Sequence, residues 1–284
     1  KFDYIDYISG GLLRLKLKEK WGVCDEKGKI IIPVIYDNIK DFSEGLICAE
    51  LKGKYGFKNK LGQTIIPFKY DDASNFSEAL AFVKIKGKYG FIDKSNRIVI
   101  SCKYEEANDF SEGLAVVQKG QKKFFINRKE KIIHIEKIYD WISNFSEGRA
   151  AVMINNKWGY IDRYGKEVIP LIYDNNYGEE FQSNFNEERA LVVNSVGKWG
   201  FIDKSGNEII PLIYDYAEPF FNGKSLVRID VDCFFINKEG LRIPQVNTNS
   251  QGLDYEELNA RWGIKDIDGK IVIPVKYESI LIVK

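Results

Sequence analysis

The chain holds one histidine, His134, in the apolar run Ile132-Ile-His-Ile135. A Ser/His/Asp or Cys/His mechanism would have to pass through it, and no nucleophile sits in a G-x-S-x-G elbow. It reads as a satisfied strand histidine. Acids recur instead, at Glu44, Glu78, Glu112 and Glu147, with Asp37 and Asp71 after tyrosines. Two facing carboxylates at suitable separation could cleave a glycosidic bond. An acid repeated at fixed spacing is more simply a repeated structural element, and a Glu after Ser can hold its loop by accepting from backbone amides. Asp174, Asn176, Glu179 and Glu180 offer the oxygen donors that Ca²⁺ takes, but their spacing matches no EF-hand. With one histidine and scattered cysteines, a zinc site is not expected. No catalytic residue and no cofactor is therefore assigned.

These residues are carried by a period. Trp21, Tyr55 and Tyr89 are each followed by Gly and stand 34 residues apart. Lys123, Trp158, Trp199, Cys233 and Trp262 hold the next equivalent places, at steps of 34, 35, 41, 34 and 29 residues. Such a period signals stacked supersecondary units and outranks any local motif. The 284 residues are read as one array, 1–284, with units 1–35, 36–69, 70–103, 104–138, 139–172, 173–213, 214–247 and 248–284.

Counted from the aromatic place, position +4 is Asp or Asn in every unit, from Asp25 to Asp266. Position +7 is Gly in six units, with Asn96 and Glu130 as exceptions. Asx opening a tight turn caps its own backbone, and the later residue supplies a positive φ. A hairpin follows, flanked by strands such as Tyr89–Asp93 and Glu208–Pro211. Pro33, Pro67, Pro170, Pro211 and Pro274 are expected to end the second strand, since proline cannot donate a ladder bond. A Tyr at +15, a loop closing on Phe-Ser-Glu-Gly and a third strand complete the unit. Each unit is thus a three-stranded antiparallel meander, too small to hold a core alone. The Gly after the aromatic lets a neighbouring ring or backbone approach closely. Units four and seven place Phe124 and Phe234 there and lose the preceding aromatic, moving one ring to the other strand face.

Composition narrows the partners. The 42 basic and 41 acidic residues leave no field to draw the chain onto nucleic acid. No run approaches the ~20 apolar residues of a membrane span. Cys24, Cys48, Cys102 and Cys233 fall at four different places in the repeat and read as core-filling thiols. The first residue is Lys, so a signal peptide or lipid anchor is expected to precede the chain.

The segment Gly-Lys-Trp-Gly-Phe-Ile-Asp-Lys-Ser-Gly-Asn-Glu-Ile-Ile-Pro, residues 197–211, resembles the WG (KWG) repeat of bacterial proteins. So do Lys157–Asp162 and Lys88–Asp93 with the Phe-Ser-Glu-Gly-Leu tail. The resemblance covers nearly the whole chain. Its signature residues here are Trp21, Gly22, Tyr55, Gly56, Tyr89, Gly90, Trp158, Gly159, Trp199, Gly200, Trp262 and Gly263. Unit seven departs from it, and an atypical stretch, Gln245 to Asn259, precedes unit eight. The resemblance implies a module of varied bacterial proteins, often envelope-associated, with no shared catalytic residues. Variable copy number and three strands per unit favour an open all-β solenoid over a β-propeller.

The expected function is a non-enzymatic scaffold for another protein, in the cell envelope or periplasm and lipoprotein-like. A carbohydrate or cell-wall binder, with sugars stacked on rings, is the alternative. A glycoside hydrolase ranks third. The insertion in the 41-residue step lies on a face that repeat arrays often use for binding. Asp174, Asn176, Tyr177, Glu179 and Glu180 are therefore the candidate binding residues.

Overall fold

Two-residue turns with positive φ at both positions join antiparallel strands with the right twist. The Glu-Gly pair of each Phe-Ser-Glu-Gly tail adopts this turn: Glu44 and Gly45 have φ of 50° and 92°, Glu112 and Gly113 of 53° and 81°. Lys52-Gly53, at 54° and 72°, makes the next turn of the same kind. The Asx hairpin then follows as expected. Asp25 Oδ1 accepts from the amides of Lys27 and Lys29 at 3.0 and 2.9 Å, and Gly28 has φ of 81°. Asn96 and Glu130, the two non-glycines at that place, take φ of 61° and 62°. Up to three consecutive hairpins of this sort fold a repeat into one antiparallel sheet.

The computed structural model describes residues 2–135, 137–174, 184–243, 262–265 and 271–277, the last two stretches as backbone. No helix occurs among the described residues. The chain divides into two compact units: Lys1–Lys86, Asp93–Arg97 and Val246–Lys284 in the first, Gly87–Ile92 and Ile98–Gln245 in the second.

In the first unit, β1 (Tyr4–Ile8), β2 (Leu12–Leu17), β3 (Lys20–Asp25) and β4 (Ile30–Tyr36) form a sheet in sequence order. A second sheet runs β5 (Asn38–Ser43), β6 (Leu46–Leu51), β7 (Lys54–Asn59) and β8 (Thr64–Tyr70). Asp72–Ala73 (β9) pairs with Leu80–Ile85 (β10). Lys88–Asp93 (β11) pairs with Ile98–Tyr104 (β12), and the second unit repeats the pattern. Glu106–Ala107 (β13), Leu114–Lys119 (β14), Lys122–Asn127 (β15) and Ile132–Ile133 (β16) follow one another. So do Trp141–Ile142 (β17), Arg149–Ile154 (β18), Lys157–Asp162 (β19) and Glu167–Asp174 (β20). The sheets therefore carry up to four strands rather than three. The extra strand is often only two residues long, as at Asp72–Ala73, too short to show a period-two pattern. It removes strand count as a ground for preferring an open array to a propeller.

Proline does not end the outer strand. Trp21 pairs with Tyr36 and Val23 with Ile32, so Pro33, Val34 and Ile35 stand opposite the single Gly22. Pro33 sits in this bulge on an edge strand, where no ladder bond is lost. Residues 67–69 face Gly56, 101–103 face Gly90, 170–172 face Gly159 and 211–213 face Gly200 in the same way. A Cβ on Gly22 would lie 2.7 Å from Val34 Cγ2; on Gly159, 2.5 Å from the Ile169 carbonyl oxygen. The close neighbour that the Gly admits is thus the bulged strand.

The core is a series of ring pairs between successive sheets. Phe57 meets Phe76 at 4.9 Å, Phe91 meets Phe110 at 4.9 Å and Phe125 meets Phe145 at 4.7 Å. Tyr160 meets Phe185 at 5.0 Å and Phe201 meets Phe220 at 4.8 Å. Each pair joins the second residue after the aromatic place to the Phe of the next tail, and all ten rings are buried. Three of the pairs are edge-on and two, Phe57–Phe76 and Phe125–Phe145, are tilted; aromatic pairs add about 0.5–1.5 kcal/mol beyond their area burial. Two cysteines leave the core-filling expectation: Cys24 and Cys48 are buried, Cys102 is half-buried and Cys233 is exposed. His134 lies just past β16 and is exposed, with Nδ1 3.0 Å from the Ile135 carbonyl oxygen.

Candidate functional site

The recurring acids hold the sheets to one another. Glu44 accepts from the Ala79 amide at 3.0 Å, Glu112 from Gly148 at 2.9 Å, Glu147 from Glu188 at 2.8 Å and Glu187 from Gly223 at 2.9 Å. The acceptor reading holds, but the amide belongs to the next repeat's turn. The preceding serines reinforce it. Ser43 Oγ donates to the Phe76 carbonyl at 2.6 Å, Ser111 to Phe145 at 2.7 Å and Ser146 to Phe185 at 2.6 Å. Burial resists the charge on Glu44, but Lys94 at 3.0 Å and the amide outweigh it and set its pKa below the ordinary value. Lys238 does the same for Glu187.

A second set of acids ties a lysine of one sheet to the hairpin turn of the next. Lys20 donates to Asp37, which also accepts from the Lys52 amide. Asp71 pairs with Lys54 at 2.6 Å, Glu105 with Lys88 at 2.8 Å and Asp215 with Lys198 at 2.6 Å. The lysine partners depress the pKa of Asp37, Glu105 and Asp215. A glycosidase acid needs the opposite shift. Asp174 belongs here: it pairs with Lys157 at 2.6 Å, as these acids do in other repeats. Asn176, Tyr177, Glu179 and Glu180 lie outside the described residues.

The signature aromatics occupy one cross-strand row in each sheet. Tyr4, Lys16, Trp21 and Tyr36 are register neighbours in the first sheet. Asn38, Glu50, Tyr55 and Tyr70 hold the row in the second. Tyr89 pairs with Tyr104 in the next. In the fourth the row is Glu106, Gln118 and Lys123; in the fifth, Trp141, Met153, Trp158 and Tyr173. Val193, Trp199 and Tyr214 follow, then Tyr216, Arg228 and Cys233. Trp262 and Gly263 lie in a strand, Trp262–Lys265, whose Trp262 pairs with Tyr277.

The ring positions divide by burial. Trp158 and Trp199 are 6% and 3% exposed, and Tyr36, Tyr70, Tyr104 and Tyr214 are buried. These are core elements. Trp21, Tyr55 and Tyr89 are half-buried. Burial, then Glu50 as hydrogen-bond partner, pushes the Tyr55 hydroxyl up to about 12. The row thus combines a fixed buried part with residues that change identity from sheet to sheet.

One open point of the row is a cavity of about 330 Å³ in the first unit, lined by Asp3, Tyr4, Arg14, Lys16, Glu19 and Trp21. Tyr4 meets Trp21 edge-on at 5.8 Å. Arg14 and Lys16 stand 5.3 and 5.4 Å from the Trp21 ring centroid, within cation–π range. Arg14 is fixed from behind by Asp6, which takes both Nε and Nη2, and by the Ile39 carbonyl at 2.8 Å. Burial opposes the guanidinium charge, but Asp6 outweighs it and the Arg14 pKa lies above its ordinary value. A guanidinium held by Asp6, an ammonium paired with Glu19 at 2.9 Å and two aromatics therefore converge on one open surface. The repeat pattern concealed Tyr4, Arg14 and Lys16, because they meet Trp21 through strand register at spacings of seventeen, seven and five residues.

The chain belongs to the family described as WG containing repeat, whose model matches residues 21–55, 55–89, 89–122, 124–158, 158–194, 199–230 and 262–281. No curated protein matches it. Among solved structures, it is similar to the computationally designed Ika8 protein, at 11% identity over 86% of each chain with a TM-score of 0.50. It is also similar to Hsv2p of Kluyveromyces lactis, at 9% identity over 79% of this chain and 89% of that one, with a TM-score of 0.50. At these identities the likeness is one of fold.

Proposed function

We propose that the chain is a non-enzymatic scaffold that binds a protein partner through the cross-strand row, anchored at Tyr4, Arg14, Lys16 and Trp21. The observation that carries this reading is their convergence on one open cavity. Trp, Tyr and Arg are the residue types that dominate binding energy at protein interfaces. Prefixed side chains lose less entropy on binding, and Arg14 is held by Asp6 before any partner arrives. The stacking alternative for glycans has less support, because most of the recurring rings are buried. The hydrolase reading has less still, since the recurring acids are engaged by amides and lysines.

An accessory role in the bacterial cell envelope is carried over from the family resemblance. The experiment is capture from native envelope extract, with purified peptidoglycan as a parallel bait. A stoichiometric protein, lost in the Tyr4→Ala/Lys16→Glu variant at unchanged Tm, supports the proposal. Recovery of wall material alone, or capture unaffected by the substitutions, overturns it.

A further inference from the structure

The fourth repeat carries a second cavity of different chemistry. There the aromatic–Gly pair is replaced by Lys123-Phe124. Phe124 leaves the row and meets Tyr104 at 6.3 Å, while the outer strand shrinks to Ile132–Ile133. That strand pairs only with Phe125 and Ile126, so no tyrosine stands opposite Lys123. The ring that fills this place in other repeats is gone, and a partly open cavity of about 180 Å³ remains. At ~30 Å³ per water it has room for roughly six, a volume comparable to one pyranose ring.

Its polar lining is Glu106, Asn108, Gln118 and Lys123; Val116 and Val117 add to it, with Trp141 and Ile142 from the next sheet. Lys123 and Glu106 pair at 2.8 Å, so the site carries both signs and no net charge. Two carboxamides each add donors and acceptors, and Gln118 is oriented by donating to the Gly120 carbonyl at 2.9 Å. The half-buried Trp141 borders the cavity and is fixed edge-on against Trp158 at 4.9 Å. A bare anion would meet Glu106, and a bare cation would meet Lys123. A neutral ligand whose hydroxyls both donate and accept satisfies all of these groups. A flat aromatic ligand would leave the four polar side chains unmatched, at a desolvation cost.

We infer that this cavity is a binding site for a single neutral pyranose residue. It stands apart from the proposed protein-binding surface, in a different repeat and in the other compact unit, so either can fail alone.

The test is saturation-transfer NMR on the whole chain with D-glucose, D-galactose, D-mannose and N-acetyl-D-glucosamine, each offered singly at millimolar concentration. Inorganic phosphate serves as an ionic control. The expected result is saturable binding of at least one sugar, quenching or shifting of tryptophan fluorescence, and no displacement by phosphate. Glu106→Gln and Gln118→Ala should each weaken that binding about tenfold. Lys123→Trp, which restores the ring, should abolish it. Glu106 is largely solvent-facing, with its side chain 58% exposed, so its variant stays informative if Lys123→Trp fails to fold. Absence of a saturable signal for all four sugars overturns the proposal. So does binding that phosphate displaces, or binding indifferent to Glu106→Gln.

Discussion

The fourth and fifth sheets are built from the same hairpins, yet one carries Lys123-Phe124 where the other carries Trp158-Gly159. In the fifth, Gly159 admits residues 170–172 as a bulge, and the outer strand runs the full length of Glu167–Asp174. In the fourth, a side chain stands in that space and the outer strand is two residues long. The link to the next sheet is nevertheless the same: Phe125–Phe145 at 4.7 Å in one, Tyr160–Phe185 at 5.0 Å in the other. The aromatic–Gly pair governs the outer strand, and the Phe-Ser-Glu-Gly tail governs the stacking. The two motifs recur together but do separate work. A repeat can therefore give up the first, and open a cavity, without losing its place in the array.

The largest expected effect tests the stacking half of that division. Phe110→Ala and Phe145→Ala each remove one ring of a buried pair and should cost about 3–5 kcal/mol in chemical denaturation. The losses should be similar, because Phe110 follows a sheet with the aromatic–Gly pair and Phe145 follows one without it. A much smaller loss at Phe145 would tie stacking to the aromatic–Gly pair. Next is the outer strand itself. A Cβ at Gly159 would meet the Ile169 oxygen at 2.5 Å, so Gly159→Ala should cost about 1–3 kcal/mol by overpacking. Amide exchange should rise along Glu167–Asp174 and stay unchanged in β14 and β15.

A smaller effect comes from pH. The folded pKa values of Asp37, Glu44, Glu105, Glu187 and Asp215 are lowered. A lowered folded value means stability that is present above the ordinary carboxylate range and lost as pH falls through the folded value. Thermal melts should hold steady above about pH 5 and decline below it. The smallest change is a gain. Ala79 adopts φ of 63° where the equivalent turns have Gly45, Gly113, Gly148 and Gly223, Glu188 being the other exception, so Ala79→Gly should stabilise by up to about 1 kcal/mol.

The period, the Asx hairpins and the close approach at each Gly were legible because each is a local pattern repeated many times. The two-residue strand at Asp72–Ala73 was not, because two residues carry no alternation. Pro33 misled because a bulged edge strand has no ladder bond there to lose, so proline fits inside it. The latches from Ser43 to Phe76 and from Glu44 to Ala79 span 33 and 35 residues; spacing hinted at a structural acid but not at its partner. Tyr4, Arg14 and Lys16 were missed as a site because only strand register brings them to Trp21. The insertion residue Asp174 drew attention by its neighbours, whereas its pairing with Lys157 follows the rule of the other repeats.

The central claim is that the row's half-buried members around Trp21 bind a partner while the buried recurring rings build the sheets. Site-specific photo-crosslinking tests it most directly, with benzoylphenylalanine placed at Tyr4 in the row or at Tyr164 on an exposed hairpin tip, in envelope extract. A discrete protein adduct from Tyr4 and none from Tyr164 is the predicted result. Adducts from Tyr164 alone, or equally from both, would contradict the account.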